Sequence, residues 1–253
     1  ICNGQSTTLS VVGGALGTNA NWQWYTSSCG GASAGSGSSI TVSPSGTTTY
    51  FVRAEGICNF TACVSVTVTV NQPSVAASSI SGTTTICEGG STTLSVVGGT
   101  LGTGASWQWY SGSCGGTAVG SGPSVSVTPT STTDYYVRAE GTCGNSSCVF
   151  VTVTVNDSSV AATSISGPSA ICIGSSAVLS ATGGHLGVGA SWKWYTGSCG
   201  GTLIGTGSPI TVNPVVPTTY FLRAEGTCNT TSCVQQTITI NPLPNGSITG
   251  TTS

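Results

Sequence analysis

Four cysteines recur three times at one spacing: Cys2, Cys29, Cys58 and Cys63, then Cys87, Cys114, Cys143 and Cys148, then Cys172, Cys199, Cys228 and Cys233. Twelve thiols divide evenly among three repeats with none left over, which is the arithmetic of a disulfide framework made in an oxidising compartment. Order along the chain predicts which sulfurs meet. Cys2 opens one strand and Cys29 closes the next, antiparallel one, so the two share an end of the domain. Cys58 and Cys63 face each other across a hairpin at the opposite end. The expected pairs are therefore Cys2–Cys29 and Cys58–Cys63, Cys87–Cys114 and Cys143–Cys148, and Cys172–Cys199 and Cys228–Cys233. Chain entropy puts the longer loop at roughly 3.6 kcal/mol and the hairpin loop at roughly 2.2. Zinc is the competing chemistry, but it needs four thiolates, or thiolates with histidine, converging on one point. Two pairs at opposite ends cannot supply that, so no metal or other cofactor is expected.

The second constellation is charge. Only four Lys or Arg and six Asp or Glu occur in 253 residues, and six of these ten are the Arg and Glu of "YFVRAEG", "YYVRAEG" and "YFLRAEG". With the tyrosine of the preceding strand they make three candidate surface patches: Tyr25, Arg53 and Glu55; Tyr110, Arg138 and Glu140; Tyr195, Arg223 and Glu225. One reading is structural: an outward arginine stacks on the tyrosine and pairs with the glutamate, and outward charge keeps flat sheets from pairing face to face. The other is a ligand surface repeated along the chain, with the tyrosines as platforms for a surface glycan. Catalysis finds no support. His185 stands where Ala15 and Thr100 stand in the other repeats, so no serine, histidine and carboxylate set recurs. Nor do six acids spread over three repeats make a calcium cluster or a glycosidase pair. The chain is read as no enzyme. Sequons at Asn59, Asn145, Asn156, Asn229 and Asn245 are frequent by chance in so Ser- and Thr-rich a chain.

These residues need a scaffold, and its period is 85 residues, marked by Trp24, Trp109 and Trp194 and by Arg53, Arg138 and Arg223. A unit of that length holds its own core rather than depending on its neighbours as a solenoid repeat does. "VSVTVTV", "VFVTVTV" and "VQQTITI" alternate with period two and are rich in β-branched residues, so each is a strand. "STTLSVVGG", "NWQWYTS" and "SITVSP" make further strands, with Gly, Pro, Ser and Asn between them. The fold class expected is all-β: three tandem immunoglobulin-like β-sandwich domains with intradomain disulfides. Trp24 falls on strand C, and Tyr50, Val52 and Ala54 share the inward face of strand F, which turns Arg53 and Glu55 outward. The net charge of −2 gives no footprint for nucleic acid, and no run of about 18 apolar residues marks direct membrane insertion. Ile1 is not a translational start, and the chain is read as mature or excised material.

The boundaries read from the period are 1–71 for a first repeat lacking its first strand, 72–156 and 157–241 for the second and third, and 242–253 for the first strand of a following repeat or a donor strand. The run "WQWYTSSCGG" followed by "TTTYFVRAEGICNFTACVSVTVTV" resembles the Ig-like modules that occur in tandem in very large secreted and cell-surface proteins of Bacteroidetes. The resemblance covers all three repeats. It implies an extracellular, cell-surface, non-enzymatic module exported by the type IX secretion pathway, of the kind found in adhesins, gliding-motility filaments and spacers beside polysaccharide-degrading domains. The expected role is a structural repeat segment of a surface filament or adhesin stalk, with neighbouring repeats of the same chain or identical subunits as partners. The alternative is an array of carbohydrate-binding modules. The absent first strand and the spare last one fit either a window of a longer array or subunits chained by donor strands.

Overall fold

The computed structural model describes residues 1–246, and every regular element among them is a β-strand. The first repeat contributes β1 (Thr7–Ser10), β2 (Asn21–Thr26), β3 (Ala32–Ser36), β4 (Ser39–Val42), β5 (Thr48–Glu55) and β6 (Val64–Val68). The second contributes β7 (Ser79–Ser81), β8 (Thr85–Cys87), β9 (Thr92–Val97), β10 (Ser106–Ser111), β11 (Thr117–Ser121), β12 (Ser124–Val127), β13 (Thr133–Gly141), β14 (Gly144–Asn145) and β15 (Val149–Asn156). The third contributes β16 (Ser164–Ser166), β17 (Ala170–Cys172), β18 (Ala177–Thr182), β19 (Ser191–Thr196), β20 (Thr202–Thr206), β21 (Ile210–Val212), β22 (Thr218–Glu225) and β23 (Val234–Asn241).

Each repeat is a two-sheet sandwich of immunoglobulin type. The larger sheets run β3-β2-β5-β6 in the first, β11-β10-β13-β15-β8 in the second and β17-β23-β22-β19-β20 in the third. The smaller sheets run β1-β4, β12-β9-β7 and β16-β18-β21. Alternation along β5 decides what each sheet hides: Tyr50, Val52 and Ala54 are buried, while Phe51, Arg53 and Glu55 between them are not. Trp24, Ile40, Val42 and Val68 complete the first core. In the third, Trp194, Leu179, Leu222 and Ile238 are fully buried. Burial of Trp24, Trp109 and Trp194 is offset by the indole N–H, which donates to a backbone carbonyl: Trp24 to Gly37 at 3.0 Å, Trp109 to Gly122 at 2.9 Å and Trp194 to Gly207 at 2.7 Å.

Compactness divides the chain into two units whose border runs through the second repeat. One is Ile1–Thr83 with Thr92–Val127 and Thr133–Thr152; the other is Thr84–Ser91 with Thr128–Thr132 and Val153–Ser253. The stretch 242–253, read above as a further first strand, has no regular structure over 242–246, and its residues 247–253 lie outside the described residues.

Candidate functional site

Strand β2 pairs with β5 so that Asn21 stands opposite Glu55, Gln23 opposite Arg53 and Tyr25 opposite Phe51. The structure brings all three members of the charged patch together on that outward face. The Tyr25 hydroxyl donates to Glu55 Oε1, and Arg53 Nε donates to the same oxygen at 2.7 Å. The guanidinium lies over the Tyr25 ring at 5.3 Å and over Phe60 at 4.9 Å, within cation–π range. The pattern repeats: Tyr110 and Arg138 converge on Glu140 with the guanidinium 5.2 Å from the ring, and Tyr195 and Arg223 on Glu225 at 5.0 Å. Only the third repeat adds Lys193, whose Nζ reaches Glu225 Oε2 at 2.7 Å; Gln23 and Gln108 hold that position elsewhere.

These contacts set the protonation of the patch. The Tyr25 hydrogen bond and then Arg53 hold the Glu55 carboxyl below the usual carboxylate range, and the Tyr110 bond followed by Arg138 does the same for Glu140. Glu225, bonded first by Lys193 and then by Tyr195, falls to about 2. In return the Glu55 bond pushes the Tyr25 phenol up, and the same happens at Tyr110; for Tyr195 burial is the larger cause, with Glu225 second. At neutral pH every patch is thus a closed set of carboxylate, guanidinium and neutral phenol. One face of each tyrosine ring is covered by the guanidinium, and one carboxylate oxygen is already shared by tyrosine and arginine.

The disulfides differ from the expected pairing in every repeat. The bonds within a domain are Cys29–Cys63, Cys114–Cys148 and Cys199–Cys233, each 34 residues apart. Their reason is the sheet order: Cys29 follows β2 and Cys63 precedes β6, the two strands that flank β5. The bond crosses the outward side of β5, where Arg53 Nη1 lies 3.9 Å from Cys29 Sγ. A Cβ on Gly30, next to Cys29, would sit 3.3 Å from Arg53 Nη2 and face a φ of +75°, so this turn both needs glycine and leaves room for the guanidinium. The repeated charge therefore packs beneath the repeated disulfide.

Cys2 and Cys87 are not bonded at home. Cys2–Cys143 and Cys87–Cys228, each 141 residues apart, tie one repeat to the hairpin of the next. The sequence reading placed Cys2 at the start of a strand antiparallel to the one ending at Cys29. Instead it lies in a parallel bridge with Asn71, the last residue of its own domain, just as β8 runs parallel to β15 with Cys87 opposite Asn156. That position faces the neighbouring domain. Cys58 and Cys172, expected in Cys58–Cys63 and Cys172–Cys199, are unpaired and exposed.

Each staple sits in a hydrogen-bonded junction. In the first, Gln72 N donates to Thr103 Oγ1 at 2.9 Å, Thr103 N donates to Gln72 O at 2.9 Å, and Gly102 N donates to Ser74 Oγ at 3.0 Å. In the second, Gly187 N donates to Ser159 Oγ at 2.9 Å, while Ser159 N and Ser159 O both bond the Asn229 side chain at 2.8 Å. Asn229, a sequon residue, thus has its amide occupied. Glycine is required where the linker passes: a Cβ on Gly102 would come within 2.1 Å of Gln72 O, and one on Gly187 within 2.3 Å of Asp157 O. Sequence reasoning missed these sockets and Lys193, although the recurring "LG" of Leu16–Gly17, Leu101–Gly102 and Leu186–Gly187 was a signal in view. Among the described residues no three His, Cys, Asp or Glu side chains gather as a metal site.

The family whose profile matches the chain is described as an Ig-like domain, CHU_C associated, and it matches residues 1–72, 73–156 and 160–242. No curated protein sequence matches. Among solved structures, the I67–I69 I-band fragment of titin superposes with a TM-score of 0.64 at 13% identity, covering 96% of this chain and 94% of that one. An E-to-A variant of the same three titin domains gives 0.64 at 13% identity, covering 95% and 94%. At this identity the likeness concerns the fold.

Proposed function

The chain belongs to the CHU_C-associated Ig-like domain family, and from that premise we propose that its three repeats are a tension-resisting segment of an extracellular stalk, in a surface filament or adhesin exported by the type IX pathway of a Bacteroidetes cell. The observation that carries this reading is the pair of staples Cys2–Cys143 and Cys87–Cys228. A bond inside a domain limits how far that domain can be pulled out. A bond between domains also removes the linker from the path of the force. The five disulfides suit an oxidising environment.

The patch geometry points the same way. A carbohydrate platform needs an uncovered ring and unspent hydrogen-bonding groups, and each tyrosine here carries a guanidinium on one face. Antibody raised against the three repeats and applied to intact source cells tests the proposal: label on shearable surface appendages is the expected result, and label confined to the cell interior would refute it.

A further inference from the structure

The disulfides fall into two classes by what surrounds their sulfurs. In each bond within a domain, one sulfur faces a cation: Arg53 Nη1 lies 3.9 Å from Cys29 Sγ, Arg138 Nη1 3.8 Å from Cys114 Sγ and Arg223 Nη1 3.9 Å from Cys199 Sγ. The rest of the patch fixes that aim. Arg53 Nε and Nη2 each lie 2.7 Å from Glu55 Oε1, and the Tyr25 ring packs against the guanidinium, which turns Nη1 towards the sulfur. A Cβ on Gly30, Gly115 or Gly200 would stand 3.3, 3.2 or 3.0 Å from a guanidinium nitrogen, so glycine keeps this space in all three repeats.

Between the repeats the setting is reversed. Cys143 Sγ lies 3.5 Å from Asn71 O, Cys228 Sγ 3.7 Å from Asn156 O and Cys2 Sγ 4.0 Å from Thr142 O. All four basic side chains of the chain stand in the patches. The difference acts on thiol–disulfide exchange, in which the departing sulfur carries off the electron pair of the broken bond as a thiolate. A guanidinium beside that sulfur stabilises the thiolate and makes it a faster leaving group, whereas the negative end of a carbonyl dipole opposes it. The third patch goes further. In the first two, one guanidinium balances one carboxylate, but Lys193 on Glu225 Oε2 leaves the third with an excess positive charge.

We propose that Cys29–Cys63, Cys114–Cys148 and Cys199–Cys233 are sites of exchange with a dithiol reductant, in which Arg53, Arg138 and Arg223 stabilise the departing thiolate, while the two inter-domain staples stay closed. A thiolate of the reductant attacks Cys63 Sγ, the S–S bond breaks, and its electron pair leaves on Cys29 Sγ beside Arg53. The second thiol of the reductant gives up its proton and displaces Cys63 from the mixed disulfide. Two electrons pass to the cysteine pair, the reductant becomes a cyclic disulfide, and its two protons go to the cysteine sulfurs or to solvent. The domain then loses the bond that crosses β5, and Cys2–Cys143 and Cys87–Cys228 still tie the neighbours together. This chemistry belongs to the bonds themselves and holds whether or not the repeats bear tension in a stalk.

The experiment uses the full chain, folded, with Cys58 and Cys172 blocked beforehand. It is exposed to dithiothreitol, quenched at intervals by alkylation, and the label on each cysteine is counted by mass spectrometry. Cys199–Cys233 is expected to open first, the other two bonds within domains next and the staples last. Arg53→Gln should slow the opening of Cys29–Cys63 on the order of threefold, with Cys114–Cys148 and Cys199–Cys233 unchanged as controls in the same molecule. Lys193→Gln, which places there the glutamine that the other repeats carry, should bring Cys199–Cys233 down to the rate of its two counterparts. An arginine with a purely structural role gives the opposite sign, because its loss loosens the cover over β5 and speeds reduction. Unchanged or faster opening of Cys29–Cys63 in Arg53→Gln would overturn the proposal. So would staples that open as fast as the other bonds, or a Cys199–Cys233 rate that Lys193→Gln leaves unaltered.

Discussion

Pulling the oxidised chain from its two ends should extend it far less than its length allows, even after all three domains unfold. Between Cys2 and Cys233 the shortest covalent path crosses from Cys2 to Cys143, runs to Cys148, crosses to Cys114, runs back to Cys87, crosses to Cys228 and runs to Cys233. Its three backbone legs total about 37 residues, or about 130 Å at roughly 3.5 Å per residue. With Cys143→Ser and Cys228→Ser and the leftover thiols alkylated, the path must follow the bonds within domains instead. Its legs Cys2–Cys29, Cys63–Cys114 and Cys148–Cys199 total about 129 residues, or about 450 Å. Full reduction frees about 231 residues, or about 810 Å. Single-molecule force spectroscopy with terminal handles reads these as contour lengths. The double variant should gain about 320 Å over the wild type. An oxidised wild type that already reaches the double variant's length would refute the reasoning, because the staples would then be absent from the path of the force.

Other perturbations test the remaining contacts. Removing Cys199–Cys233 by Cys199→Ser with Cys233→Ser should destabilise the third domain by up to about 3.8 kcal/mol from chain entropy over its 34-residue loop, seen as a lower denaturant midpoint. Glu225 has its folded pKa lowered from 4.5 to about 2, so its contribution is present above the unfolded value and is lost as pH falls from about 4.5 towards 2. Glu225→Gln should flatten the thermal stability of the third domain across that window, and a carboxyl titration midpoint near 4.5 in the folded protein would refute the assignment. Gly102→Ala forces a Cβ to 2.1 Å from Gln72 O and should cost on the order of 1–3 kcal/mol at the first junction, read as faster hydrogen exchange at Gln72 and Thr103. A glycan array is expected to show no saturable binding; binding abolished by Tyr195→Ala with the fold intact would restore the carbohydrate reading.

Much of the fold was legible because period-two alternation and an exact repeat fix strands and faces locally. Arg53 and Glu55 could be turned outward from the alternation of "YFVRAE" alone, and Tyr25 joined them once β2 was set beside β5. The cysteine pairing was not legible in the same way. Each repeat holds four cysteines, so a reading made one repeat at a time finds a partner at home for each. What decides the matter is the short strand β8 and its parallel pairing with β15, which carries Cys87 to the end of its own domain. Three residues are too few for a periodic signal. The disulfide over β5 escaped because it joins strands that are neighbours of a common strand rather than of each other. Lys193 differs from Gln23 and Gln108 by a substitution whose partner, Glu225, becomes visible only with the β19–β22 register.

The scarcity of charge supplies the most direct test of the inter-domain staples. Trypsin can cut only after the four basic residues Arg53, Arg138, Lys193 and Arg223. Denatured but unreduced protein, with free thiols alkylated first, should yield its five tryptic peptides as a single disulfide-linked species close to the intact 24.8 kDa. Reduction should then release all five. Were Cys29–Cys63, Cys114–Cys148 and Cys199–Cys233 the only bonds, with the other six cysteines free, residues 1–193 and 194–253 would separate without reductant. Were the bonds Cys2–Cys29 and Cys58–Cys63 with their repeats, the peptides 1–53 and 224–253 would come away free. Either outcome would contradict the stapled chain.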